Sequence, residues 1–245
     1  MNYYLLIKYF LYLTIFHLSL TIIVKGQQSE VIMDSHDKEV IDLNYLLHLP
    51  DSYNEEGKDR WPLILFLHGI GERGDSLNLV KIHGIPKIVD KDKAFPFITI
   101  SPQCPLSSDW RNPETQFSVI KLLENVLENY KVDKDRVYIT GLSMGGFGTW
   151  AIIAKRPELF AAAAPICGGG NPNDALVIKN MPIWVFHGAK DDIIIPEESE
   201  RMVKALEREN GKVKFTLYPE AYHDSWTKTY ENKELYDWFL SKRKK

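Results

Sequence analysis

The stretch Arg136-Val137-Tyr138-Ile139-Thr140-Gly141-Leu142-Ser143-Met144-Gly145 joins two apolar runs of different character. Residues 136–140, rich in β-branched and aromatic side chains, read as a buried strand, and residues 146–156 read as a helix that Pro157 stops. Ser143 falls at the corner between them. A serine on so sharp a strand-to-helix corner is held in strained backbone angles. Side chains beside it would collide with the adjoining strand or helix, so the corner requires glycine at 141 and 145. This geometry lifts the hydroxyl clear of a sheet edge and makes Ser143 a candidate nucleophile. The bare Gly-x-Ser-x-Gly pattern also fits an ordinary glycine-rich turn; the strand before it and the helix after it select the first reading.

A nucleophilic serine needs a base to take its proton and an acid to orient that base. Farther along, the apolar run Ile183-Trp184-Val185-Phe186 ends in His187-Gly188-Ala189-Lys190-Asp191-Asp192, which places two carboxylates just past the C-terminal end of a strand. Loops at that edge carry function in parallel sheets. A further strand candidate, residues 214–219, leads into Glu220-Ala221-Tyr222-His223-Asp224-Ser225-Trp226. His223 is thus the candidate base, and Asp191 or Asp192 the candidate acid.

Strand-like and helix-like segments alternate through the body, the sign of a mostly parallel sheet covered on both faces. Residues 40–50 and 63–67 read as early strands, with a polar turn over 53–61 between them, and residues 97–100 and 160–166 as further strands. In residues 116–130, Val119, Leu122, Leu123, Val126, Leu127 and Tyr130 recur at helical spacing on one face and are core. Residues 197–210 form a second helix, with Gly211 suited to its C-terminal cap.

A chain of 245 residues can bury one large core, and residues 27–245 read as a single α/β domain without repeat or linker. The formal charge is -3, and removing residues 1–26, which carry Lys8 and Lys25 and no acid, leaves -5. So mildly acidic a body gives no support to nucleic-acid binding. Lys8 precedes an apolar run over 9–24, and Val24-Lys25-Gly26 offers a cleavage site, so residues 1–26 read as a signal peptide and the body as secreted or periplasmic. An uncleaved anchor is the alternative, since the run approaches bilayer-spanning length. No cysteine precedes Cys104, which excludes a lipid-modified cysteine near the start. Cys104 and Cys167 permit one disulfide in an exported protein without requiring it. His68 and His187 lack the short spacing that fixes two metal ligands on one element, so no metal is expected, and both read as strand-ending histidines that hydrogen-bond neighbouring loops.

Four motifs carry a family likeness: His68-Gly69-Ile70-Gly71-Glu72-Arg73-Gly74, Gly141-Leu142-Ser143-Met144-Gly145-Gly146, His187-Gly188-Ala189-Lys190-Asp191-Asp192 and Tyr222-His223-Asp224-Ser225-Trp226. With them, the chain resembles a compact α/β-hydrolase of the dienelactone hydrolase and prolyl-oligopeptidase-like esterase group. The order serine, aspartate, histidine is that of α/β-hydrolases. The resemblance implies an acid four residues after His187, which is Asp191, although the extra residue in Ile193-Ile194-Ile195 keeps Asp192 open. It implies an oxyanion hole from the backbone N–H groups of Ile70 and Met144, where bulk at Gly69 or Gly71 should be felt. Trp110 and Trp226 are candidate substrate contacts, with packing as their alternative role, and Glu72 with Arg73 a candidate loop-ordering ion pair.

By analogy with the group, the implied activity is hydrolysis of short acyl or aryl esters, carbohydrate-borne ones included, with no cofactor and a small-molecule ester as partner. A small peptidase and a catalytically dead binding protein are the rival readings. A membrane-anchored scaffold would follow only from an uncleaved leader.

Overall fold

The structure is a computed structural model and describes residues 28–31 and 42–244. The leader read over residues 1–26 lies outside the described residues. Eight strands form one sheet: β1 (Gln28–Val31), β2 (Tyr45–His48), β3 (Trp61–Leu67), β4 (Ile98–Pro102), β5 (Val132–Leu142), β6 (Ala162–Ile166), β7 (Ile183–Gly188) and β8 (Val213–Tyr218). Their spatial order is β1-β2-β4-β3-β5-β6-β7-β8. The pairs β1–β2 and β2–β4 are antiparallel and all the others parallel. Every parallel strand therefore ends on the same edge, where the motifs read in the sequence converge.

Side-chain alternation along the strands divides the core into two layers. Leu63, Leu65 and Leu67 of β3, with Val137 and Ile139 of β5, pack on one face against α3 (Pro113–Asn129), α4 (Met144–Lys155) and α6 (Glu197–Arg208). Ile64 and Phe66, with Tyr138, pack on the other. There they meet Ile85 and Val89 of α2 (Gly84–Val89), Tyr230 of α7 (Trp226–Glu231) and Phe239 of α8 (Lys233–Leu240). The short helices α1 (Leu77–Val80) and α5 (Ala175–Ile178) are the remaining α-helices of the described residues. The expected α/β-hydrolase architecture is present. No helix among the described residues is long and apolar enough to cross a membrane.

Helix ends follow local chemistry. Asn112 caps α3, accepting the N–H groups of Glu114 and Thr115 just ahead of the sequence-expected start, with Pro113 opening the helix. At the end of α6 the sequence reading is corrected: the left-handed residue is Asn210, with φ 55°, and not Gly211. Asn210 donates its N–H to Glu207 O and Gly211 to Leu206 O, a paired closure in which glycine occupies the position after the left-handed one.

Candidate active site

Strand β5 runs between β3 and β6 and ends at Leu142. Ser143 follows with φ 52° and ψ -116°, and α4 begins at the next residue. A non-glycine residue in that region costs on the order of 1–3 kcal/mol and persists only where its surroundings hold it. The Ser143 N–H donates to Ile166 O at 3.0 Å and lies 3.3 Å from the Cys167 sulfur. Its carbonyl accepts the Phe147 N–H at 3.1 Å. Cys167, at the end of β6, is itself left-handed with φ 41°. The sequence reading missed this second strained residue, because no local pattern marks it.

The strained corner aims the serine hydroxyl at a histidine. The His223 ring places Nε2 3.0 Å from Ser143 Oγ and Nδ1 2.8 Å from Asp191 Oδ2. The Asp191 side chain is wholly buried, whereas Asp192 is exposed. Asp191 Oδ1 accepts the N–H groups of Ile193 (3.0 Å) and Ile194 (2.9 Å), so the isoleucine run forms the turn that fixes the carboxylate. His187, fully buried, braces the same turn. Its Nε2 lies 2.8 Å from Ile194 O and 3.2 Å from Asp191 Oδ2, and its Nδ1 2.7 Å from Ser199 Oγ. Trp226 packs beside the triad, its ring edge-to-face with His223 at 5.1 Å between centroids and also with His83 at 5.6 Å.

Across the site, Ile70–Glu72 form a short 3-10 turn directly after β3. His68 anchors it: Nε2 accepts the Cys104 N–H at 2.9 Å, so Nδ1 carries the proton and donates to Gly69 O at 2.6 Å. Burial pushes the His68 pKa down to about 4, which keeps this ring neutral. Arg73 donates from Nε to Ile70 O and from Nη1 to Ser108 O. Gln103 Nε2 donates to the carbonyls of Glu72 and Ser76. The loop is thus held through the carbonyl oxygens of Gly69, Ile70 and Glu72. Met144, as the first residue of α4, contributes one of the amides with no partner inside the helix, at its positive end.

Three expectations change here. Trp110 is fully buried, donates from Nε1 to His68 O at 2.9 Å and packs on the His68 ring, so it supports the turn and cannot touch substrate. Glu72 does not pair with Arg73. Its buried carboxyl faces His68 Nδ1 at 3.9 Å, and burial raises its pKa, while Arg73 turns to the carbonyls. At Gly71 an added Cβ would meet open space, so bulk there is no lesion; at Gly69 it would press on Leu142 Cδ1 at 2.9 Å.

Cys104 and Cys167 are both buried free thiols, just past the ends of β4 and β6, strands that β3 and β5 separate. The Cys167 sulfur lies within 4.8 Å of ligand atoms of Asp191 and His223. Burial pushes its pKa well above the usual thiol range, which keeps it a neutral thiol with none of the character of a nucleophile.

Residues 110–237 match the family model described as the dienelactone hydrolase family. A crystal structure of a thermostable esterase superposes with a TM-score of 0.76 at 35% identity, covering 90% of this chain and 64% of that one. Poly(3-hydroxyalkanoate) depolymerase C of Paucimonas lemoignei is 46% identical over 52 residues, 21% of this chain and 13% of that protein. Feruloyl esterase D of Neurospora crassa is 25% identical over 185 residues, 68% of this chain and 59% of that protein. The chain spans less than two thirds of the length of each of these relatives.

Proposed function

Because the chain belongs to the dienelactone hydrolase family, we propose that it is a serine hydrolase of carboxylic esters, working through Ser143, His223 and Asp191. The observation that carries this reading is the unbroken hydrogen-bond path from Ser143 Oγ through both ring nitrogens of His223 to the buried Asp191 carboxylate. In the first step His223 Nε2 removes the serine proton as Oγ attacks the ester carbonyl. Asp191 stabilises the imidazolium that forms, and the amides of Ile70 and Met144 receive the charge developing on the carbonyl oxygen. Collapse of the tetrahedral intermediate expels the alcohol, which takes the proton from His223. Water, activated by the same ring, then releases the acid and restores Ser143.

Short acyl or aryl esters, including those borne on carbohydrates, are the proposed substrates. The esterases among the similar proteins support this class, and a complete triad weighs against a catalytically dead binding protein. The test is turnover of 4-nitrophenyl acetate, methyl ferulate, acetylated xylan and peptide anilides by the wild type and by Ser143→Ala. Ester hydrolysis is expected, with a lag-free burst on the activated ester, and its loss by at least about 10³-fold in Ser143→Ala. Peptide anilides turned over faster than every ester, or a Ser143→Ala protein at wild-type rate, would overturn the proposal.

A further inference from the structure

Beside the triad lies a sulfur that the mechanism does not use. The Cys167 Sγ, an Asp191 carboxylate oxygen and a His223 ring nitrogen all lie within 4.8 Å of one another. Within that set Asp191 Oδ2 is 2.8 Å from His223 Nδ1. A fourth donor adjoins it. Ser225 stands at the start of α7 but its side chain does not cap the helix, a task that Asp224 performs for the Thr227 N–H. Its Oγ is wholly buried, makes no hydrogen bond of ordinary geometry, and lies close enough to the Cys167 thiol to oppose the rise that burial imposes on that group's pKa. An unpaired buried hydroxyl calls for an explanation, and a bound ion is one. Backbone contacts fix these donors. Cys167 gives its N–H to Phe186 O at 2.9 Å, Ser225 gives its own to His223 O at 2.8 Å, and the two isoleucine amides hold Asp191.

The donor set defines the ion. Thiolate, imidazole and carboxylate together suit Zn²⁺ or another thiophilic divalent cation, whereas Mg²⁺ and Ca²⁺ take oxygen ligands. With bonds of about 2.0 Å to nitrogen and oxygen and about 2.3 Å to sulfur, tetrahedral coordination spaces the ligand atoms by roughly 3.3–3.6 Å. Separations of 2.8 Å at the shortest and no more than 4.8 Å bracket that range, so side-chain adjustments suffice. Charge favours occupation as well. A divalent cation, a carboxylate and a thiolate sum to zero, while the same groups with a neutral thiol and no cation hold one buried negative charge.

Resting on the esterase reading, we propose that Cys167, Asp191 and His223, with Ser225 as a fourth donor, form an inhibitory site for Zn²⁺ or a similarly thiophilic divalent cation. The proton balance is closed. As the metal–sulfur bond forms, the Cys167 S–H bond breaks and its proton leaves to solvent. The ring gives its Nδ1 lone pair to the metal, losing the proton there and gaining one at Nε2. A ring in that state has no lone pair to accept the serine proton, so hydrolysis stops. Of the three ligand side chains, that of His223 reaches solvent, 20% exposed against full burial of Asp191 and Cys167, and its rotation opens the way for the ion.

The test reads the metal both spectroscopically and through turnover. Full-chain wild type, stripped with a chelator and dialysed, is titrated with Co²⁺, and a sulfur-to-cobalt charge-transfer band is expected to saturate at about one ion per chain and to vanish when Zn²⁺ is added. Cys167→Ala should show no such band. On 4-nitrophenyl acetate, excess Zn²⁺ should slow the wild type at least about tenfold, with EDTA restoring the rate. In Cys167→Ala the rates with and without Zn²⁺ should agree within about twofold, whatever that variant's own rate. Asp192→Asn, which removes an exposed carboxylate of the same loop, should remain as inhibited as wild type, and Mg²⁺ should inhibit neither protein. Should the alanine variant not fold, Cys167→Ser reads the same two signals, since a hydroxyl gives no sulfur band. Absence of the cobalt band in wild type, its persistence without Cys167, equal inhibition in the Cys167 variant, relief in Asp192→Asn, or inhibition by Mg²⁺ as strong as by Zn²⁺ would each overturn the proposal. Failure of metal-free wild type on the soluble ester would instead strike the esterase reading, since the cobalt band is read without turnover.

Discussion

Asp191→Asn is expected to lower kcat for ester hydrolysis by about 10⁴-fold, and Asp192→Asn to stay within twofold of wild type. The two residues are adjacent and carry the same group, so only their surroundings separate them. Asp191 is buried, 2.8 Å from His223 Nδ1, and has its other oxygen fixed by two backbone N–H groups. An amide there can turn its NH₂ toward Nδ1, which forces the proton onto Nε2 and leaves no lone pair to accept the serine proton. The opposite flip would set a donor against the Ile193 and Ile194 amides, so the turn itself favours the orientation with NH₂ toward the ring. Asp192 faces solvent and touches none of these groups. Steady-state kinetics on 4-nitrophenyl acetate with both variants decides the matter; equal losses in the two would contradict the assignment.

Gly145→Ala is expected to destabilise the fold by at least about 3 kcal/mol and to lower Tm by on the order of 10 °C. A Cβ at 145 would run into the Leu67 carbonyl at the end of β3, and one at 141 into the carbonyl of Gly145. Both obstacles are backbone, so no rotamer change relieves them. Helix α4 would have to lift away from β3, separating the amides of Met144 and Ile70 that are assigned to one oxyanion. A misplaced donor of this kind costs about 10²–10³-fold in turnover, so activity should fall even in the fraction that folds. Gly71→Ala is the control: a Cβ there meets open space, and the melting temperature should not move measurably. Calorimetry of the two variants reads the difference, and a Gly145→Ala protein melting like wild type would show that β3 and α4 can separate freely.

Strands β3, β5 and β7 were legible because each carries a short apolar run buried on both faces and ended by a recognisable motif, whereas β8, at the sheet edge, is only partly buried. Their limits were less so. Strand β5 begins at Val132, four residues before the apolar run, because Asp133, Lys134 and Asp135 interrupt the pattern while the backbone continues beside β3 through an irregular register. Asp191 could not be separated from Asp192 on residue type alone. Two backbone amides supplied by the isoleucine run favour the first, and that is a property of the turn. Trp110 illustrates the opposite failure. An aromatic near a site reads as a substrate contact, yet its indole N–H finds the His68 carbonyl and the ring is fully buried against the His68 ring. The bracing of Asp191 by His187 and of Ser143 by Cys167 depends on long-range packing that no local spacing encodes.

The account depends on a hydroxyl at residue 143 made nucleophilic by the ring at residue 223. Wild-type protein and His223→Ala are each treated with a fluorophosphonate, and the intact mass and the labelled peptide are followed over time. The account predicts one adduct per chain, located on Ser143, forming at least about 10³-fold more slowly without the imidazole. An adduct on Cys167 or any other residue, or labelling of Ser143 at an unchanged rate in His223→Ala, would contradict it.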